Sequence, residues 1–260
     1  MGAQRIFSTI PCFYNGRMSG TWEKALIGDK PADVFEPSNR RPRFGILFLH
    51  DLDGRTLRDD ATFTQLLEAE ALACVCPFGD QAWWTDRICP EFDPQATAES
   101  YVVNRVLPFL KEKWRLETKS IGLLGVGMGG QGALRLAFKN PQSFPVVAAI
   151  SPIIEYQELY GRGTPLDGMY DSKEQCRQDT AILHLHPTQY PPHIFYCIGP
   201  DDPWYRGSDR LSEKMNALGV PHTLMVDVTT SGETEYLNRM AEPALRFVIA
   251  GLETESRRLL

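Results

Sequence analysis

Ser120–Gly132 reads SIGLLGVGMGGQG, and what this stretch builds decides the fold. Ile121, Leu123 and Leu124 make a short apolar run of the kind a buried strand needs. Gly125, Gly127, Gly129 and Gly130 then crowd one tight turn. GALRLAFK, from Gly132 to Lys139, follows at helical period and is stopped by Asn140-Pro141. A strand that feeds a helix through so little side chain is a site-building device, and two known devices have this shape. Gly125, Gly127 and Gly130 satisfy the dinucleotide loop G-x-G-x-x-G. Gly125 and Gly129 satisfy the nucleophile elbow G-x-S-x-G, with Gly127 in the place of its serine.

Working outward from this turn, strands and helices alternate. Thr21–Gly28 and Pro31–Pro37 read as two strands joined at the turn Gly28-Asp29-Lys30. Phe44–Leu49 (FGILFL) is apolar throughout and reads as a central strand running into the polar loop His50-Asp51-Leu52-Asp53-Gly54. Ala61–Ala71 has helical period, and Ala73–Pro77 is another short strand. Phe78–Pro94 is a long loop holding Trp83, Trp84, Ile88 and Phe92. Thr97–Trp114 reads as an amphipathic helix with a kink expected at Pro108. Beyond the central turn, Pro145–Ser151 and His193–Cys197 read as strands, Asp209–Leu218 as a helix, Pro221–Val228 as a strand and Glu235–Leu252 as a helix. Residues 153–192 lack clear periodicity and read as a small cap insertion. The alternation predicts an α/β domain spanning 1–260, a mostly parallel sheet with helices on both faces.

Composition bounds the function. At 260 residues and 43% hydrophobic, the chain can bury a large core. A net charge of −6 and the lack of a basic stripe argue against a nucleic-acid surface. No apolar run is long enough to span a membrane, and Met1–Gly20 has no apolar leader region, so a cytoplasmic location is expected. The six cysteines read as buried free thiols; Cys74 and Cys76 share a strand face, but no second pair completes a metal site. No metal and no cofactor are expected. His184 and His186 form an H-x-H pair that reads as a solvated or core pair.

Strand order separates the two devices. A dinucleotide loop opens the first βαβ unit, with an acidic residue ending the next strand. Here other strands come first, and the next strand ends in Ile150-Ser151-Pro152. An elbow belongs after the fifth strand, with an oxyanion loop after the third, an acid after the seventh and a histidine after the eighth. On this count Gly127 follows the fifth strand, His50-Asp51 the third, Asp201-Asp202 the seventh and Thr229–Thr234 the eighth.

FGILFLHD, CPFGDQAWWTDRICPEFDP, YVVNRVLPFL, GMGGQGALRLAFKNP, FPVVAAISP and MAEPALRFV resemble the α/β-hydrolase-fold esterases related to esterase D and S-formylglutathione hydrolase. The resemblance implies the α/β-hydrolase fold and a serine-esterase ancestry. It places Gly127 at the nucleophile position, normally the serine of SMGG, and Asp201 at the acid position, with Asp202 the alternative. It places Gly232 roughly where the histidine belongs, and Asp51 and Met128 at the oxyanion-hole positions, Asp51 standing for a glycine. His50, Trp83, Trp84, Asp86 and Ser151 are then the expected pocket residues.

Three cooperating features depart together. Glycine has no atom to attack with, no imidazole titrates near neutrality in the last loop, and an acidic Asp51 would repel a developing oxyanion. The expectation is an esterase-like protein without serine-hydrolase activity that keeps a pocket for a small, ester-like ligand or a partner. The alternative is an active ester or thioester hydrolase with a displaced nucleophile, Ser151 or Ser231 being candidates by location.

Overall fold

The computed structural model describes residues 7–14, 17–38, 40–226 and 232–258. Nine strands form a single sheet: β1 (Phe7–Tyr14), β2 (Arg17–Ile27), β3 (Lys30–Glu36), β4 (Gly45–Leu49), β5 (Ala73–Pro77), β6 (Ile121–Val126), β7 (Val146–Ile150), β8 (His193–Cys197) and β9 (Thr223–Met225). Their order across the sheet is β1-β2-β3-β5-β4-β6-β7-β8-β9. The first three pair antiparallel at one edge, and β3 runs antiparallel to β5. All remaining pairs are parallel. This is the α/β-hydrolase architecture, a mostly parallel sheet covered by helices. The extra strand β1 was not evident in the sequence and raises every later strand number by one. The elbow therefore follows β6, and Asp51 follows β4.

The apolar runs become strands because both of their faces are covered. In β4, Leu47 and Leu49 point into one core and Ile46 and Phe48 into the other. Fully burying one such side chain contributes about 1.5–3 kcal/mol, so a register slip in this strand would be costly. The first core takes in α3 (Leu107–Trp114, after α2, Ala98–Tyr101), α4 (Met128–Lys139) and the segment between β7 and β8. The second takes in α1 (Ala61–Ala69) and the long α9 (Glu233–Arg257). Helices α2 and α3 are continuous through a π turn at Val102–Val106, and Pro108 falls in the first turn of α3. The expected interruption at the proline is thus a π turn placed just ahead of it, where the missing N–H does least harm.

Between β7 and β8 lie four short helical turns: a 3-10 turn at Tyr156–Leu159, α5 (Leu166–Met169), α6 (Lys173–Gln178) and α7 (Ala181–His184). This is the segment read as a cap. It is fastened to α4 by a buried ionic cluster. Arg135, 1% exposed, donates to the carboxylates of Glu99 and Asp179. Its Nε–H also donates to the Asp179 carbonyl at 2.9 Å. Tyr170 donates to Asp179 Oδ2 at 2.7 Å, and Tyr156 meets Tyr170 at 3.0 Å. Burial by itself would raise the Asp179 carboxyl, but His184, Arg135 and Tyr170 outweigh it and hold the carboxyl well below the usual range. Helix α8 (Tyr205–Leu218) follows β8 and ends at Gly219.

Candidate active site

The turn after β6 carries Gly127 at φ +53°, ψ −115°, a left-handed backbone that side chains rarely adopt. Its N–H donates to the Ile150 carbonyl at 3.0 Å, and its carbonyl accepts from Gln131 and Ile153 at 3.1 and 3.0 Å. The turn is therefore tied both to the end of β7 and to the first turn of α4. Gly125 and Gly129 close on each other: a Cβ on Gly125 would lie 2.1 Å from the Gly129 carbonyl oxygen. These contacts explain the glycine spacing read in the sequence.

The side chain that faces this turn is Asp51. A Cβ added to Gly127 would fall 2.2 Å from each of the Asp51 carboxylate atoms. Asp51 Oδ1 accepts from the Met128 backbone N–H at 2.8 Å and from the Leu52 N–H at 2.7 Å. Met128 is the first residue of α4, so the carboxylate also sits at the positive end of a helix. Two converging N–H groups are the donor set that an oxyanion hole requires. Here they already hold an anion supplied by the chain itself.

Residues 24–246 match the family model described as "Putative esterase". The chain belongs to this esterase family. No curated protein matches the chain. Among solved structures it is similar to an S-formylglutathione hydrolase from Agrobacterium tumefaciens, with a TM-score of 0.76 at 16% identity over 95% of this chain and 99% of that one. It is similar to a fluorophosphonate-binding serine hydrolase from Staphylococcus aureus, with a TM-score of 0.69 at 14% identity over 95% and 98%. MPT51 of Mycobacterium tuberculosis gives 0.67 at 14% identity over 87% and 98%. At these identities the likeness is one of fold.

Within that esterase frame, the oxyanion positions need one correction. The N–H groups that converge here are those of Met128 and Leu52, and the Asp51 side chain is the acceptor between them. The Asp51 carboxylate is thus bonded to both N–H groups and faces Gly127. The sequence reading missed Leu52 because a backbone donor leaves no mark on residue type.

The expected pocket is largely a packed interior. His50 is 1% exposed; its Nδ1 lies 2.7 Å from the Asp51 carbonyl and its Nε2 accepts from the Gly79 N–H at 2.9 Å. Those partners define a neutral ring with the proton on Nδ1, and burial lowers its pKa from the usual 6.5. Trp83 and Trp84 are fully buried, both with left-handed backbone. Trp84 donates to the His50 carbonyl at 3.3 Å, and its side chain fills the spaces where Cβ atoms on Gly79 and Gly132 would lie. Trp83 stacks on Tyr156 at 4.8 Å. These rings are core, not the wall of an open cavity, because glycines on either side let the indole of Trp84 sink in. Asp86 is exposed and accepts from Thr97 at 2.9 Å. Ser151 is half-buried at φ +44°, its N–H held by the Cys197 carbonyl at 2.8 Å.

Asp201 lies exposed after β8, with no side-chain partner among the described residues. Asp202 caps the turn into α8 by accepting from the Trp204 N–H at 2.8 Å. Gly232 immediately precedes α9, and the preceding residues 227–231, including Ser231, lie outside the described residues. The other histidines are engaged away from the elbow. His184 meets Asp179 and His193 meets Glu255, each at 2.9 Å. His222 meets Ser212 at 2.9 Å, and His186 meets Thr188 at 3.1 Å. Cys74, Cys76, Cys89, Cys176 and Cys197 are buried free thiols; the side chain of Cys12 lies outside the described residues. The Cys74 and Cys76 sulfurs are 3.7 Å apart, and burial pushes the Cys74 thiol well up. Among the described residues no metal-binding group of His, Cys, Asp or Glu comes together, and no helix is long and apolar enough to cross a membrane.

Proposed function

We propose that this esterase-family protein does not hydrolyse esters and that it acts as a binding protein for a small ligand. One observation carries the reading: the Asp51 carboxylate fills the position of a nucleophilic side chain and takes the N–H groups of Met128 and Leu52. Acyl transfer needs an attacking atom, a base for its proton and a free pair of donors for the oxyanion. Gly127 supplies no attacking atom. A substrate carbonyl entering the hole would have to displace a bonded carboxylate and leave that charge without its two amides, a cost of several kcal/mol on the scale of lost charged hydrogen bonds.

Among the described residues the reading of a displaced nucleophile lacks a base. Neither Ser151 nor a cysteine is bonded to a histidine among the described residues, and the two ring nitrogens of His50 are spent on backbone groups.

The test is turnover of p-nitrophenyl acetate and of S-formylglutathione by purified protein. Rates indistinguishable from those of heat-denatured protein support the proposal. Saturable turnover that heat abolishes overturns it.

A further inference from the structure

A cleft of about 530 Å³ opens between the segments that follow β7 and β8, at the carboxyl edge of the sheet, and shares no lining residue with the turn at Gly127. Its walls are the 3-10 turn and loop after β7 (Glu155, Glu158, Arg162) and the start of α8 after β8 (Pro203, Trp204, Arg206, Arg210). The volume lies within the range of small-molecule sites, and this edge of an open parallel sheet is where such sites form.

The charges in the cleft are unevenly settled. Glu155 is paired with Arg210, and Glu158 with Lys173 at 2.6 Å. Arg162 and Arg206 have no carboxylate partner among the described residues. The loop that bears Arg162 is fixed: Asp167 accepts from the Gly161 and Gly163 N–H groups at 2.6 and 2.9 Å, one on each side of the arginine. Arg206 stands in the first turn of the 14-residue α8, so the positive end of that helix adds to the two guanidiniums. The lining thus carries three arginines against two glutamates in a chain whose total charge is −6. Trp204, half-buried, and Pro203 give the cleft an apolar side.

From this arrangement we infer that the cleft binds a small organic anion, with a phosphate or carboxylate head held by Arg162 and Arg206 and an apolar body against Trp204. Guanidinium forks suit such heads in either form. The inference gives a ligand class to the binding reading above, yet it rests on residues separate from the elbow.

Trp204 also supplies the readout. Of the five tryptophans, Trp22, Trp83, Trp84 and Trp114 are each no more than 4% exposed, so Trp204 is the one open to a ligand. Phenyl phosphate and benzoate are titrated into the full chain at low salt, followed by tryptophan emission and by calorimetry. The expected result is saturable one-to-one binding of at least one probe with a dissociation constant of about 1 mM or below, an ordinary efficiency for ligands of this size. Added salt weakens it, and the neutral benzyl alcohol does not compete. The surface variant Arg162→Gln/Arg206→Gln keeps its fold by circular dichroism and binds at least about tenfold more weakly, as loss of charge-assisted bonds requires. Absence of saturable binding by both probes overturns the inference, as does equal binding of benzyl alcohol or unchanged affinity in the double variant. Esterase turnover by the wild-type chain would instead overturn the preceding reading and leave this one intact.

Discussion

The Asp51 carboxylate stands where a side chain on Gly127 would stand, 2.2 Å from the position of its Cβ, and its Oδ1 is bonded to the backbone N–H of Met128 at 2.8 Å. The turn after β6, helix α4 and the loop after β4 are therefore joined by one acid, and its carboxylate takes the space that a side chain on Gly127 would need. Four consequences can be measured before the activity itself is tested.

Gly127→Ser places a Cβ on a left-handed backbone and against the Asp51 carboxylate. The clash and the backbone strain together are expected to cost roughly 2–5 kcal/mol of stability. Chemical denaturation should show this as a lower midpoint at an unchanged slope. Esterase turnover should remain absent, because the five histidines of the chain give no base to this position among the described residues.

Asp51→Gly should relieve that clash. Alone it leaves the Met128 and Leu52 N–H groups without their acceptor and should cost about 1–3 kcal/mol. Combined with Gly127→Ser, the double variant should be more stable than the sum of the two losses predicts, with a coupling of at least about 1 kcal/mol. A double-mutant denaturation cycle measures the coupling directly, and simple additivity would mean that the two residues do not compete for space.

Arg135→Met removes the cation that Glu99 and Asp179 share in a nearly closed interior. Breaking such a buried cluster from one side should cost about 3–5 kcal/mol, read from denaturant melts, whereas an exposed pair such as Arg177–Glu174 should matter little. The sign of the pH effect follows from Asp179, whose carboxyl is held below its unfolded value. The stabilisation is complete above the unfolded carboxylate pKa, near 4, and is lost as the pH falls further. Melting temperatures from about pH 5 to pH 2 should fall steeply in the wild type, and less steeply in Asp179→Asn.

His50 is shifted in the same direction, toward its deprotonated form, which for an imidazole is the neutral one. Burial lowers its pKa, so the unfolded chain takes up the proton first and folding loses stability as the pH drops through about 6.5. Ring resonances of His50 followed by NMR should titrate with a midpoint below 6.5. A midpoint at or above that value would mean that the ring is not held between the Asp51 carbonyl and the Gly79 amide.

The sequence carried the fold well because its signals were local. FGILFL and SIGLLGV are apolar on both faces, which only a covered parallel strand needs, and the glycines at 125, 127 and 129 can be packed against backbone in few ways. The glycine at 127, where the resembled esterases carry a serine, was equally plain, since it is visible in one letter. The contacts of Asp51 were not: the residue type suggested repulsion, and only the side-chain direction shows it accepting from the Met128 and Leu52 N–H groups. Trp83 and Trp84 looked like a cleft wall because they are large and lie on a loop, but the depth of Trp84 depends on Gly79 in the same loop and on Gly132 in the distant helix α4. The cluster of Arg135, Glu99, Asp179 and Tyr170 joins residues up to 80 apart and has no pattern along the chain. The cleft of Arg162, Arg206 and Trp204 was hidden for the same reason, being formed only when β7 and β8 lie side by side.

The most direct test of the central claim is intact-mass spectrometry after incubation with an excess of a fluorophosphonate, which captures an activated serine as a stable adduct. The account predicts that the folded protein keeps its unmodified mass while an active serine hydrolase run beside it is labelled fully. A stoichiometric adduct on the native chain that is lost on heat denaturation, mapped to any serine, would contradict it.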